Sequence, residues 1–253
     1  MKNTVLSAKG LCKSFAHNGG QAHILQHIDF ELYEGDFTVI MGASGSGKST
    51  LLYALSGMDR ATGGEVIYGG RDIVKLRESE LAKLRYTEFG FIFQQMHLVS
   101  NLTLFENVAV PGYLNKSRSA ADVRSRTERL LEQVSVSHVK NQLPSQVSGG
   151  EQQRCAVARA VINLPRILFA DEPTGALNRK NTTGVLDLLT GLNVAGQSVL
   201  MVTHDMRAAL RANRILYISD GKMIGELTLP PYKSEDENSR EAQVNAWLTS
   251  LEW

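Results

Sequence analysis

The sequence predicts an α/β fold: a mostly parallel core sheet, a small antiparallel β element beside it, and a helical subdomain. Three observations carry this prediction. Short apolar runs rich in β-branched residues recur at Phe37–Met41, Ile167–Ala170 and Ser198–Thr203, the pattern of strands buried on both faces. Most lead through a polar or glycine-rich turn into a helix-like stretch, and strands alternating with helices build parallel sheets. The segment from about Leu102 to Val139 has few strand signals and reads as a helical insert.

Taken in order, Val5–Leu11, Ala22–Tyr33 and Gly64–Ile73 read as strands with glycine turns, the antiparallel element. Phe37–Met41 is the first core strand, with a helix over Thr50–Leu55 behind it. In the insert, placed at about residues 96–150, Ser119–Val134 carries Val123, Leu130, Leu131 and Val134 among charged residues, an amphipathic helix. The insert's basic members Arg118, Arg124, Arg126 and Arg129 fit a solvated face or one turned to an acidic partner. The main domain spans residues 1–229. Pro230-Pro231 stops it, and an acidic link over Ser234–Ser239 follows. Val244, Trp247, Leu248 and Leu251 then mark one face of a short helix, which docks on its own domain or on a partner chain. Both tryptophans, Trp247 and Trp253, fall in this tail.

Composition narrows the function classes. In 253 residues, 27 Lys and Arg nearly balance 26 Asp and Glu, which argues against a protein held to nucleic acid by a strongly basic surface. Hydrophobic residues at 43% supply a sizeable core and exclude disorder throughout. The opening Met1–Gly10 lacks the apolar core of an export leader, and no run approaches the roughly 18–20 apolar residues of a membrane span. Cys12 and Cys155 have no metal-ligand spacing and are expected to be reduced packing residues.

Chemistry concentrates in a few motifs. Gly42-Ala43-Ser44-Gly45-Ser46-Gly47-Lys48-Ser49 fits G-x-x-x-x-G-K-[ST] directly after a strand and before a helix. Glycines let the backbone curl round a polyphosphate with its N–H groups inward, and the helix N-terminus adds positive potential. Lys48 is expected to reach the β/γ-phosphates and the Ser49 hydroxyl to ligate Mg²⁺. Asp171-Glu172 ends a strand, where ligands of open α/β sheets gather; Asp171 can hold Mg²⁺ through water while Glu172 polarises the attacking water. His204 follows the third core strand and could reach a γ-phosphate from there; by itself a histidine in that place is more often structural. Ser148-Gly149-Gly150-Glu151 forms a capping box that opens a helix, with two glycines leaving its N–H groups exposed, 23 residues before Asp171.

In combination these motifs resemble those of the ABC ATPases, over residues 1 to about 229. The resemblance implies a P-loop NTPase ABC cassette. Gly42–Thr50, including Thr50, becomes its Walker A segment and Phe169–Glu172 the end of Walker B. Gln94, in Gly90-Phe91-Ile92-Phe93-Gln94, becomes the Q-loop glutamine that contacts Mg²⁺ and signals to a membrane partner, ahead of its neighbour Gln95. Ser148–Gln152 matches the signature sequence and His204 the switch histidine. Phe15 stands where the family places an aromatic that stacks on adenine, although a core role fits its sequence nearly as well. The resemblance further implies a head-to-tail homodimer with each ATP between one copy's Walker A and the other's signature. It also implies an integral membrane permease as partner, and a peripheral place on the cytoplasmic side of the plasma (inner) membrane.

FADEPTGAL, GFIFQQ and IMGASGSGKST resemble the branch serving permeases with large extracytoplasmic domains. That branch holds lipoprotein-release, macrolide-efflux, cell-division and bacitracin-type peptide-resistance ATPases, and the wording is most like the last. The expected function is an ATP-hydrolysing subunit driving such a permease; the alternative is a non-transport ATPase acting on cell division or the cell wall through a membrane partner. DNA-repair and ribosome types are disfavoured, because only 100 residues separate Lys48 from Ser148 and the chain carries one cassette. Two positions depart from the family pattern. Val147 replaces a leucine, and Asn178 stands where a D-loop aspartate is usual. Asn178 removes a charge yet remains a good N-cap for the Arg179–Leu189 helix, so altered coupling with retained ATPase is expected.

Overall fold

The computed structural model describes residues 2–17 and 20–251; Trp253 lies outside them. In chain order the elements are β1 (Thr4–His17), β2 (Gly20–Tyr33), β3 (Phe37–Met41), α1 (Lys48–Leu55), β4 (Gly63–Tyr68), β5 (Arg71–Asp72), α2 (Glu78–Thr87), β6 (Phe89–Phe93) and α3 (Leu104–Leu114). They continue with α4 (Ala120–Gln133), α5 (Gly149–Val161), β7 (Ile167–Asp171), α6 (Arg179–Val194), β8 (Ser198–Val202), α7 (Met206–Ala209), β9 (Arg214–Ser219), β10 (Lys222–Thr228) and α8 (Glu237–Ser250). Two compact units result, one from residues 1–81 and 192–253, the other from 82–191.

The first unit holds the antiparallel element, strands in the order β2-β1-β4-β5. β1 and β2 run for 14 residues each, and β1 is longer than its apolar pattern suggests because β-bulges between Ala8 and Ser14 break the alternation. A second sheet in this unit centres on β3, parallel to β8 on one side and β9 on the other, with β10 antiparallel to β9. All five residues of β3 and of β8 are buried, which explains their unbroken apolar character. The predicted strand at Ser198–Thr203 ends one residue early, and Thr203 turns out of it.

The tail docks on this same unit. Val244 and Leu248 are buried, and Trp247 and Leu251 lie so close to Gly225 of β10 that a methyl group there would meet Leu251 Cδ1 at 2.8 Å and Trp247 Cζ2 at 3.2 Å. The helix begins at Glu237, inside the stretch read as a link, after a short turn over Ser234–Asp236. Arg240 anchors it: its guanidinium donates to the carbonyls of Leu210, Ala212 and Pro230.

In the second unit β6 and β7 pair in parallel, and Phe91 stacks on Phe169 of the neighbouring strand at 5.5 Å. Helices α3, α4 and α5 pack together as the expected helical subdomain. Thr103 caps α3 in a capping box with Glu106, and Ser119 caps α4. The basic residues before and along α4 do not act as one face. Arg118 and Arg126 turn inward to the last carbonyls of α5, at Val161 and Ile162, where positive charge also offsets the negative end of the helix dipole, whereas Arg124 and Arg129 are exposed. Both cysteines are free, and burial pushes the Cys155 thiol up to about 12. Among the described residues no helix is long and apolar enough to cross a membrane.

Candidate functional site

In the first unit the loop from Gly42 to Gly47 joins the carboxyl end of β3 to α1. Gly42, Gly45 and Gly47 take φ of 156°, 82° and 102°, conformations that side chains resist. Two of them are also hemmed in: a methyl group on Gly42 would lie 2.2 Å from the Ile218 carbonyl oxygen, and one on Gly47 would lie 3.0 Å from that of Ile24. Lys48 is 8% exposed, and its Nζ donates to the carbonyls of Gly42 and Ala43, both at 2.8 Å. The ammonium is thus folded across the mouth of the loop. Ser46 Oγ is buried with no hydrogen-bond partner among the described residues. No side chain caps α1 at Gly47 and its first turn has no acidic residue, so no carboxylate of its own offsets the positive end of the helix.

This cradle fits a polyphosphate. Ser49, whose hydroxyl is the one a phosphate-bound Mg²⁺ would meet, lies half-exposed in the first turn of α1. His204 lies at the same edge of this sheet. β8 runs in register with β3, Ile40 beside Val202, and the Thr203 N–H donates to Ile40 O at 3.1 Å. Thr203 Oγ1 accepts from Asp205 N–H and Asp205 in turn caps α7, so exposed His204 sits on a turn fixed from both sides. Phe15 is 44% exposed on β1 with Lys13 Nζ 4.7 Å from its ring centre. It is therefore no core residue and is open to a stacking ligand.

The second unit carries the other predicted residues. β7 ends at buried Asp171, and the backbone then takes a left-handed turn at Glu172, φ 44°, closed by Gly175 N–H on Glu172 O at 3.0 Å. A non-glycine residue held there stores strain of the kind that gathers at functional positions. Because Phe93 of β6 is in register with Asp171, Gln94 and Glu172 leave the sheet at the same end. The Gln94 amide lies against Gly175, where a methyl group would meet its Nε2 at 2.9 Å.

The predicted capping box is complete. Ser148 N–H and Oγ–H donate to Glu151 Oε2 at 2.8 and 2.6 Å, and Glu151 N–H returns a bond to Ser148 Oγ at 3.3 Å. These bonds, with His138 3.1 Å away, hold the Glu151 carboxyl below the usual carboxylate range. Gly149 is exposed beside Ser148. Gly150 is buried for a different reason, since a methyl group there would lie 2.4 Å from the Asn181 amide. Asn178 does cap α6, accepting from Asn181 N–H at 3.0 Å.

Sequence reasoning passed over Gln153 and Arg159, both on α5. Gln153 is fully buried and Arg159 donates to Met96 O and His97 O. A signal for Gln153 existed: it lies three residues after Gly150 and four before Val157, on the buried face, where an amide needs partners.

A phosphate loop on one strand end and an Asp-Glu pair on another define the class, a P-loop nucleotide-binding cassette. Residues 25–175 match the family model described as ABC transporter, and the chain belongs to that family as one of its ATPase cassettes. Two solved structures are similar to it, each with a TM-score of 0.83 and covering 90% of this chain and 100% of the other. One, 36% identical, is the dimeric post-hydrolysis state of the ATP-binding cassette MJ0796 bound to ADP and Pi. The second, 37% identical, is the dimeric structure of MJ0796 described as a bacterial ABC transporter cassette.

Proposed function

We propose that the chain is the ATP-hydrolysing subunit of an ABC transporter, working as a homodimer that closes around two ATP molecules and drives a separate membrane permease. One observation carries the reading: a single chain presents a phosphate loop and a second glycine-bearing helix start at Ser148-Gly149-Gly150, capped by Ser148 and Glu151. Family membership and the dimeric state of both similar structures support it.

In this reading Gly42–Thr50 wraps the phosphates, with backbone N–H groups and Lys48 opposing the β/γ charge, and Phe15 stacks on adenine. Ser49, Gln94 and Asp171 would hold Mg²⁺, which when bound offsets the negative charge of the phosphate oxygens. Glu172 accepts a proton from the attacking water and His204 contacts the γ-phosphate. Ser148, Gly149 and Gly150 face the partner copy's γ-phosphate, so the closed dimer is stabilised only while that phosphate remains. FADEPTGAL and GFIFQQ point to a permease with a large extracytoplasmic domain, handling antimicrobial peptides or lipoprotein- and macrolide-type substrates. The cassettes then sit at the cytoplasmic face of the plasma (inner) membrane.

The test is Glu172→Gln. Hydrolysis is expected to fall about 10²–10⁴-fold, the usual contribution of a general base, with ATP binding intact and an ATP-bound dimer accumulating on size exclusion. Elution as a monomer with ATP and Mg²⁺ present would overturn the clamp.

A further inference from the structure

Gln153 ties together three segments to which the proposed function gives separate roles. It lies in the first turns of α5, 0% exposed, and its Nε2 donates to Phe93 O at 3.1 Å and to Pro173 O at 2.7 Å. Phe93 is the last residue before Gln94, and Pro173 the first after Glu172. Gln153 lies five positions after Ser148, which opens the same helix. One amide therefore bridges the signature helix, the root of the glutamine loop and the turn bearing the catalytic glutamate.

The amide's orientation is fixed, because reversing it would set its oxygen against two carbonyl oxygens. Its own Oε1 is buried without a hydrogen-bond partner among the described residues. An unpaired buried acceptor destabilises the fold, so this is not where a sequence optimised for stability alone would leave a glutamine. Arg159, farther along α5, grips the other side of the glutamine loop through Met96 O at 2.7 Å and His97 O at 2.6 Å. The helix thereby holds residues 93–97 at both ends. The Glu172 turn, left-handed and strained, has its next peptide carbonyl in the same grip.

We propose that Gln153 is a positioning residue that sets the Glu172 carboxylate through Pro173 and makes the glutamine loop, the catalytic turn and the signature helix move as one body. This rests on the role assigned to Glu172 above. Gln153 touches no substrate, so it acts on turnover and not on nucleotide affinity.

The experiment is a double-mutant cycle on the full-length chain, with MgATP as the probe. Gln153→Met keeps the volume and removes both N–H donors. Its kcat is expected to fall about 10²-fold, the scale of an ångström-sized misplacement, with KM and ATP affinity within about twofold of wild type. In the Glu172→Gln background the same change is expected to add less than about twofold, since the residue it positions has lost its function. A change in KM alone, an unchanged kcat, or the full loss appearing in both backgrounds would overturn the proposal. Should Gln153→Met fail to fold, Gln153→Ala, which leaves room for water to bond both carbonyls, enters the same cycle with the same criteria. The single variant Glu172→Gln separates the two readings. If it hydrolyses like wild type, the assignment of Glu172 falls and takes this proposal with it; if it is slow but the cycle is additive, only the role of Gln153 falls.

Discussion

Replacing Gly42 by alanine tests the phosphate loop more sharply than removing its lysine. The added methyl would stand 2.2 Å from Ile218 O, 2.7 Å from Ser46 Oγ and 3.1 Å from Ile218 Cγ2, whereas ordinary contact begins near 3.4 Å. Ser46 can turn away, but Ile218 cannot: it is fully buried in β9, which pairs with β3 up to the rung Met41–Tyr217 directly before the loop. Relief therefore falls on the loop, which must move by about 1 Å. The φ of 156° adds strain of about 1–3 kcal/mol for a residue with a side chain. A shift of that size displaces the N–H groups that cradle phosphate, and affinity for MgATP is expected to fall about 10²-fold. Gly45→Ala is the matched control, with φ 82° and nothing within 4 Å of the new methyl; conformational strain of about 1–2 kcal/mol alone implies a loss of about tenfold. Both would be titrated with a fluorescent ATP analogue in the Glu172→Gln background, so that hydrolysis does not intrude. Equal losses at the two glycines would refute the steric argument, and wild-type affinity in Gly42→Ala would refute the assignment of the loop.

Two further outcomes follow from contacts outside the phosphate loop. Arg240→Met keeps the apolar stem of a side chain only 3% exposed but strips three carbonyls of their charged donor. The lost bonds exceed the relief of no longer burying a guanidinium, so stability should drop by about 2–4 kcal/mol; a urea midpoint equal to wild type, followed by tryptophan emission, would contradict this. At the signature helix, the Glu151 carboxyl is depressed below its ordinary 4.5 chiefly by bonds from Ser148. Its contribution is accordingly complete above about pH 4.5 and is lost as pH falls through the lower folded value. Between pH 6 and pH 4 the wild type should lose more stability than Glu151→Gln, and parallel curves for the two would show that the carboxylate is not linked to folding.

What could be read from the sequence follows from how each segment is stabilised. β3, β7 and β8 are buried on both faces, so their local composition already states their fate. The extra length of β1 was hidden by its bulges and by Lys9 and Ser14, which interrupt the apolar pattern. β10 contains Lys222, Glu226 and Gly225, weak strand formers that pairing with β9 holds in place. The inward turn of Arg118 and Arg126 was equally hidden, because their acceptors lie at residues 161 and 162, more than thirty positions away. The glycine spacing of the phosphate loop and the capping box at Ser148 are local chemistry, and both were legible. Gln153 was not, since its partners come from two distant turns that only the folded chain assembles.

Asn178 brings these threads together. Its side chain accepts from Asn181 N–H, as an aspartate there would, so the start of α6 needs no negative charge to form. Asn181 in turn packs its amide on Gly150, and no larger residue fits there because the first turn of α6 occupies the space of a side chain. The Asn178 cap, the α6 start and Gly150 are therefore one contact chain. Gln153, one helical turn beyond Gly150, extends that chain to the Glu172 turn. Exchanging aspartate for asparagine leaves every one of these contacts in place. Any effect of Asn178→Asp must then arise from the added charge and what it faces, not from a displaced backbone.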